Sequence, residues 1–285
     1  RAPPMSAPAQ QMLHRAMSDP MQAVPSTTRN YIQPAQMAAP LAQQIPQSVI
    51  PLVSEPFSIV LSKDVQLDAP ISDTVAGTVF KSGADRAVKA LRRSMADKQL
   101  ARRADVRRLQ ELQSPHVVKV HALALGDDGG VDMVVMERAD EALADRMRGA
   151  VDVVDACKWA LQLATAVKNV HDAGEMHLGL SPREVLLFEG GNRVKLCDFA
   201  VTDRRGGNVE YFAPEQIDRK QHVGQAADVY ALGVIFAELA SGKRAWQGYT
   251  AHQVAYAVAV ECRALEVPSG GGKLGRVARR CTALD

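Results

Sequence analysis

Two stretches carry most of the reactive side chains. "HLGLSPREVLL", residues 177–187, reads as a loop feeding a short apolar strand and holds His177, Ser181 and Glu184. "KLCDFA", residues 195–200, places Cys197 and Asp198 just after another apolar run. Upstream, "AVK" at 87–89 ends in Lys89, and Asp105 lies in an Arg- and Leu-rich stretch. Carboxylate oxygens are the donors that Mg²⁺ takes, and a lysine ammonium is a compact partner for an anion. Residue type alone assigns none of these side chains a role.

The elements that must position these residues begin at Phe57. Residues 1–56 hold ten of the fifteen prolines, eight glutamines, five methionines and no glycine. Such a segment has too little apolar periodicity to offset its ordering entropy and is expected to be a disordered tail. Within it "HRAMSDP" sets Arg15 three residues before Ser18 and Pro20 two after. A phosphoserine there would suit a 14-3-3-type reader lined with arginines, although chance in a polar tail explains the match as well. "FSIVL", "VQLDAPI", "AGTVFKS", "RAVKAL", "HVVKVHALAL" and "VDMVVME" read as strands, with "GDDGG" a hairpin turn. A helix is expected over 93–113, stopped by Pro115. After Arg138 the pattern turns helical. Trp159, Leu163, Val167 and Val170 form one stripe, and a second apolar helix over 226–241 ends at Gly242. The expectation is an α+β chain: a strand-rich lobe over 57–138 and a helical lobe over 139–285.

The chain of 285 residues is 47% hydrophobic and 23% charged, and its net charge of +2 gives no global field favouring nucleic acid or a membrane surface. No apolar run is long enough to span a bilayer. Cys157, Cys197, Cys262 and Cys281 are widely spaced without a C-x-x-C pair, as suits a reducing cytosolic or nuclear setting, and a cytoplasmic location is expected.

One ordered series ties the pieces together: "AVK", an acidic residue on the next helix, "HLGLSPREVLL", "KLCDFA", "YFAPE" and "AADVYALGVIFAELASGK". In that order and at those intervals the chain resembles the eukaryotic protein kinases across 57–285. The "VQLDAPI…GTVFK" opening and "DVYALGVIFAELASGKRAW" look most like the tyrosine-kinase-like group. The resemblance implies a bilobal fold with ATP and Mg²⁺ held between the lobes. It implies that Lys89 contacts phosphate and pairs with Asp105, which stands in place of a glutamate one methylene longer. Gly77, Val79, Ala87, Met136 and Leu186 match positions around the nucleotide, with Asp198 and Glu184 on the metal. Asp228 matches the anchor of the catalytic loop, and Val120, Leu109, Phe199 and His177 the apolar stack joining the lobes.

The same resemblance exposes what is missing. Gly179 replaces the catalytic carboxylate, Ser181 the phosphate-balancing lysine, Glu184 the metal-binding amide and Leu178 an arginine. Of three glycines in the phosphate-covering loop only Gly77 is kept; Ser72 and Thr74 fill the other places, and Asp73 adds a negative charge nearby. Ala200 follows Phe199 where glycine is usual, and Asn208 takes a threonine's place in a short loop. "ARRCTALD" resembles the start of the last helical segment, so the helical lobe is expected to be incomplete. A frame kept without its chemistry points to a pseudokinase, a scaffold or allosteric regulator binding ATP weakly or not at all. The alternative is a weakly active, atypical Ser/Thr kinase. Segment 85–113 carries nine Lys/Arg and four Asp/Glu, with Arg102, Arg103, Arg107 and Arg108 clustered. It reads as a solvated helix face or as a docking surface for an acidic partner or another kinase domain. If it docks, reversing Arg103 and Arg107 to Glu weakens capture of that partner in a salt-sensitive way; unchanged capture rejects the docking reading.

Overall fold

The computed structural model describes residues 58–74, 77–92, 114–127, 131–198, 208–218, 223–267 and 271–283. The tail with Ser18, the helix expected over 93–113 with Asp105, Leu109 and the arginine cluster, and Phe199 and Ala200 lie outside them.

The first lobe is one twisted sheet of β1 (Ser58–Leu61), β2 (Pro70–Thr74), β3 (Gly77–Ser82), β4 (Arg86–Leu91), β5 (Val120–Leu125) and β6 (Val131–Glu137). Its spatial order is β1-β5-β6-β4-β3-β2. β1 joins β5 in parallel and every other pairing is antiparallel. Strand alternation separates two faces. Val88, Ala122 and Val135 pack together on the outer face, beneath Val60 and Val65. Ala87, Met136, Val134 and Leu123 form the inner cluster with Val79, Leu186 and Cys197.

Two of the expected strands are shorter than their apolar runs. "VQLDAPI" is strand only from Pro70; before it Asp68 N still donates to Lys81 O at 2.8 Å and Ala69 O accepts from Lys81 N at 2.9 Å, while the Asp68 carboxylate accepts from Gly83 N and Gln66 Nε2. "HVVKVHALAL" becomes strand only from Val120; before it, His116 and Val118 bond across to Leu196 in the second lobe.

The second lobe starts with β7 (Glu141–Ala142), α1 (Leu143–Arg146) and α2 (Val153–Asp172). Asp152 caps α2 by accepting from Val154 N. β8 (Val185–Phe188) and β9 (Arg193–Leu196) complete a small sheet with β7. Then follow α3 (Pro214–Ile217), α4 (Ala226–Ser241), α5 (Ala251–Ala259) and α6 (Gly272–Cys281). α2 buries the expected stripe, Trp159, Leu163, Val167 and Val170, and Trp159 Nε1 donates to Gly191 O at 2.7 Å. α4 is buried on almost all sides, which marks a central helix rather than a surface one. Gly233 allows α6 to pack against it: a Cβ there would lie 2.7 Å from Cys281 Cβ and from Thr282 Cγ2. A β-sheet lobe and a helical lobe are thus both present. No helix among the described residues is long and apolar enough to cross a membrane.

Candidate functional site

The cleft wall comes from alternation. Val79 pairs with Lys89, and Ala87 with Met136, so these side chains share the inner face of the sheet. Leu186 on β8 and Cys197 after β9 close the same apolar cluster from the helical lobe. The residues proposed to surround a purine therefore do meet, in one apolar cluster. Burial pushes the Cys197 thiol well above its ordinary range, so it is an inert wall residue.

Lys89 is buried and its ammonium forms an ion pair with Asp198 Oδ2, across 109 positions of sequence. Asp198 itself sits at φ 62°, a left-handed conformation that Asp tolerates better than most residues. Glu184 stands beside this pair. Burial pushes its carboxyl up to about 7, against the hydrogen bond from Ser181 and with the help of Asp198's negative charge. Ser181 Oγ donates to Glu184 Oε2 and accepts from Asn208 Nδ2 at 3.0 Å. Asn208, read above only as a lost threonine, thus ties the segment after the short loop to the catalytic-loop position. Gly179 contributes only its amide, which donates to His177 Nδ1 at 3.3 Å.

The loop backbone is set by one buried carboxylate. Asp228 on α4 accepts from His177 N at 2.8 Å, Leu178 N at 2.7 Å and His171 Nε2 at 2.8 Å. This clamp holds Leu178 at φ 58°, an unfavourable conformation for a bulky residue. His177 is buried, and desolvation lowers its pKa. Its Nε2 faces Cys197 O at 3.0 Å, a group that can only accept, so Nε2 carries the proton and Nδ1 accepts from Gly179. The anchoring roles of Asp228 and His177 are thus visible as contacts.

Two expectations change with the geometry. Asp73 does not project its charge freely over the cleft. Arg92 Nη2 donates to both its oxygens at 2.9 Å, and Thr78 Oγ1 donates at 2.7 Å. These bonds, Thr78's foremost, hold its carboxyl below the ordinary range. Gly77 has a structural use of its own. A Cβ on it would lie 2.0 Å from Ala90 O, so glycine is needed there for β3 to pair with β4. Thr74 closes the β2–β3 hairpin by donating to Gly77 O at 2.7 Å and accepting from its N–H at 3.2 Å. Sequence reading also missed a tie between the lobes: Lys195 Nζ on β9 contacts both oxygens of Glu137 at 2.6 and 2.7 Å, over the Phe188 ring. A lysine in "RVKL" and a glutamate ending "VDMVVME" gave no local sign of that pairing.

These residues fit Mg-ATP in their chemistry. The apolar cluster would face the base, Lys89 a phosphate, and Asp198 with Glu184 the cation. Among the described residues no third His, Cys, Asp or Glu joins the two carboxylates. Mg²⁺ accepts one or two carboxylates when phosphate oxygens and water complete its shell, and there it neutralises phosphate charge.

The raised Glu184 pKa has a measurable sign. The folded state keeps this proton up to about 7, whereas the unfolded chain loses it near 4.5. Stability without nucleotide or metal should therefore fall as pH rises from the lower value through the upper one. Glu184→Gln should flatten the melting-temperature profile across that window. A wild-type profile already as flat as the variant's would contradict the assignment.

Residues 72–269 match the protein kinase domain family. Among similar proteins, ribosomal protein S6 kinase alpha-6 of Danio rerio is 30% identical over 152 residues, 49% of this chain and 20% of that protein. CBL-interacting serine/threonine-protein kinase 21 of Arabidopsis thaliana is 31% identical over 156 residues, 51% of this chain and 37% of that protein. The probable serine/threonine-protein kinase PknB of Corynebacterium glutamicum is 28% identical over 228 residues, 70% of this chain and 35% of that protein. The matched region is thus well under half the length of each of these relatives. With the family matched over most of the chain, and with the strand lysine, the anchored loop and Asp198 brought together in one cleft, the chain belongs to the protein kinase domain family.

Proposed function

We propose that this domain is a pseudokinase that works by binding: a scaffold or allosteric regulator of a protein partner, another kinase domain among the candidates, with weak or no Mg-ATP binding. The observation that carries the reading is the catalytic loop. Gly179 offers no base, and Ser181, in the place of a charge-balancing lysine, is buried and bonded to Glu184 and Asn208. The groups that would handle a transferring phosphoryl are absent or bonded to each other. The second reading, a weakly active Ser/Thr kinase, is favoured by the Lys89–Asp198 pair and by the kinase names of its relatives. A cytoplasmic setting is part of the proposal and is tested by fractionation. The tyrosine-kinase-like label rests on the wording of residues 65–81 and 228–246; a tree over residues 72–269 that grouped the chain elsewhere would remove it.

Titration with Mg-ATP separates these readings from a module that binds no nucleotide. A ligand at 100 times its dissociation constant stabilises the fold by ~2.7 kcal/mol. At ~2–4 °C per kcal/mol for a domain of this size, saturation should raise the melting temperature by roughly 5–10 °C. Lys89→Ala should abolish the rise, and Asp198→Asn its Mg²⁺ dependence. If millimolar Mg-ATP leaves the melting temperature unmoved, the nucleotide role is wrong and the interaction module remains.

A further inference from the structure

The last helix, α6, lies against α4 through small residues. Gly275 and Ala278 are buried, and so is Thr282 just past the helix end, close to Gly233 of α4. At ~100° per residue, the opposite side carries Lys273, Arg276, Val277 and Arg280 within a sector of about 100°. All four are exposed. Arg279, also exposed, lies beside this sector, and its guanidinium donates to Val267 O at 3.1 Å.

Helix stability does not account for this set of cations. A helix N-terminus carries a partial positive charge, and Lys273 in the first turn adds to it, with no acidic residue and no side-chain cap there. Arg276 has Lys273 three positions before it, Arg279 three after and Arg280 four after. Like charges at those spacings repel one another. Only Arg279 and Arg280, in the last turn, suit the helix dipole.

The rest of the fold does not neutralise them either. Among the described residues no carboxylate pairs with Lys273, Arg276, Arg279 or Arg280. On α4, Asp228 is taken by the amides of His177 and Leu178, and Glu238 by Tyr211 Oη and Ala245 N. Near Val267, Glu261 is paired with Arg263 at 2.6 Å, and exposed Glu266 pairs with none of the four cations. Two turns of helix, ~10 Å from Lys273 to Arg280, therefore face solvent with unbalanced positive charge and one apolar side chain among it.

We propose that this face of α6 docks an acidic segment of a protein partner, its carboxylates meeting Lys273, Arg276 and Arg280 while an apolar side chain of the same segment packs on Val277. Val277 favours a protein over a nucleic acid, whose phosphates have nothing to place on it. A lipid surface is disfavoured because the other side of α6 is taken up by α4, which leaves no broad apolar face to enter a bilayer. The docking needs neither nucleotide nor phosphotransfer, so it stands or falls apart from the reading of the cleft.

The probe is the fluorescein-labelled peptide Glu-Glu-Ala-Leu-Glu-Glu-Ala-Leu-Glu-Glu, titrated with the full chain and read by fluorescence anisotropy. Binding should saturate, weaken with added salt, and fall by about tenfold in Lys273→Glu, where an attraction becomes a repulsion. The same substitution puts a carboxylate at the helix N-terminus and beside Arg276, so the variant should melt no lower than the wild type. A merely solvated face would not combine an undiminished fold with weakened binding. Arg276→Gln, which removes a charge without adding one, should weaken binding by about threefold and serves if Lys273→Glu does not fold. No saturable binding, or binding that neither substitution changes, overturns the proposal. So does equal binding of the all-glutamine peptide, since the carboxylates would then be irrelevant. An oligothymidylate or a phosphatidylserine vesicle that binds more tightly than the peptide and is released by the same substitutions also overturns it, in favour of a nucleic acid or a membrane.

Discussion

Purified protein given Mg-ATP and generic serine, threonine or tyrosine substrates should transfer no phosphate above a Lys89→Met control. Protein kinases turn over at ~1–100 s⁻¹. Loss of a positioned base costs ~10²–10⁴ in rate, which leaves ~10⁻⁴ to 1 s⁻¹ from that change alone. The missing lysine removes stabilisation of the phosphoryl charge as well; the two losses act on one transition state and do not simply multiply. Gly179→Asp by itself should not restore activity. It supplies a carboxylate, but Ser181 stays bonded to Glu184, and the hairpin over the cleft keeps Thr74 where a glycine amide would approach phosphate. Radiolabel transfer, with circular dichroism to verify that each variant folds, measures this. Lys89-dependent turnover near ordinary kinase rates would sink the pseudokinase reading and leave the Ser/Thr kinase.

Asp228→Ala should be the most destabilising single change around the cleft. The substitution strips acceptors from the buried amide of His177, the half-buried amide of Leu178 and His171 Nε2. Each buried donor left unpaired costs ~1–3 kcal/mol, so the two amides alone amount to about 2–6 kcal/mol. At ~2–4 °C per kcal/mol the melting temperature should drop by roughly 5–20 °C. Leu178 would also lose the bond that holds it at φ 58°. Asp228→Asn should lie between wild type and Ala, because one amide oxygen can still accept while the NH₂ faces another donor. Thermal unfolding of the three proteins decides it. A loss of less than ~1 kcal/mol on Asp228→Ala would mean that the loop holds its shape without the clamp.

The frame was legible in the sequence where one local rule governed it. The stripe of Trp159, Leu163, Val167 and Val170 has helical period, and α2 buries it. Gly242 ends α4 in a left-handed cap, as its position after an apolar helix implied. The order of motifs from Lys89 to Asp228 sufficed for the kinase fold, and the missing groups at 178, 179 and 181 were visible as residue types. What failed were local readings of segments whose partners are distant. "VQLDAPI" and "HVVKVHALAL" alternate or run apolar like whole strands. The Asp68 carboxylate bonds to the β3–β4 turn while its amide bonds to β3, and His116 and Val118 bond to β9.

Only the tertiary structure decided how the charged and polar groups pair. Asp73 takes Arg92, Lys195 takes Glu137, and Ser181 is shared by Glu184 and Asn208. The single retained glycine of the covering loop proved to serve strand pairing against Ala90. Residue types and spacing along the chain record which groups are available. Which donor meets which acceptor depends on the relative placement of segments up to 109 residues apart, where an ångström separates a hydrogen bond from none.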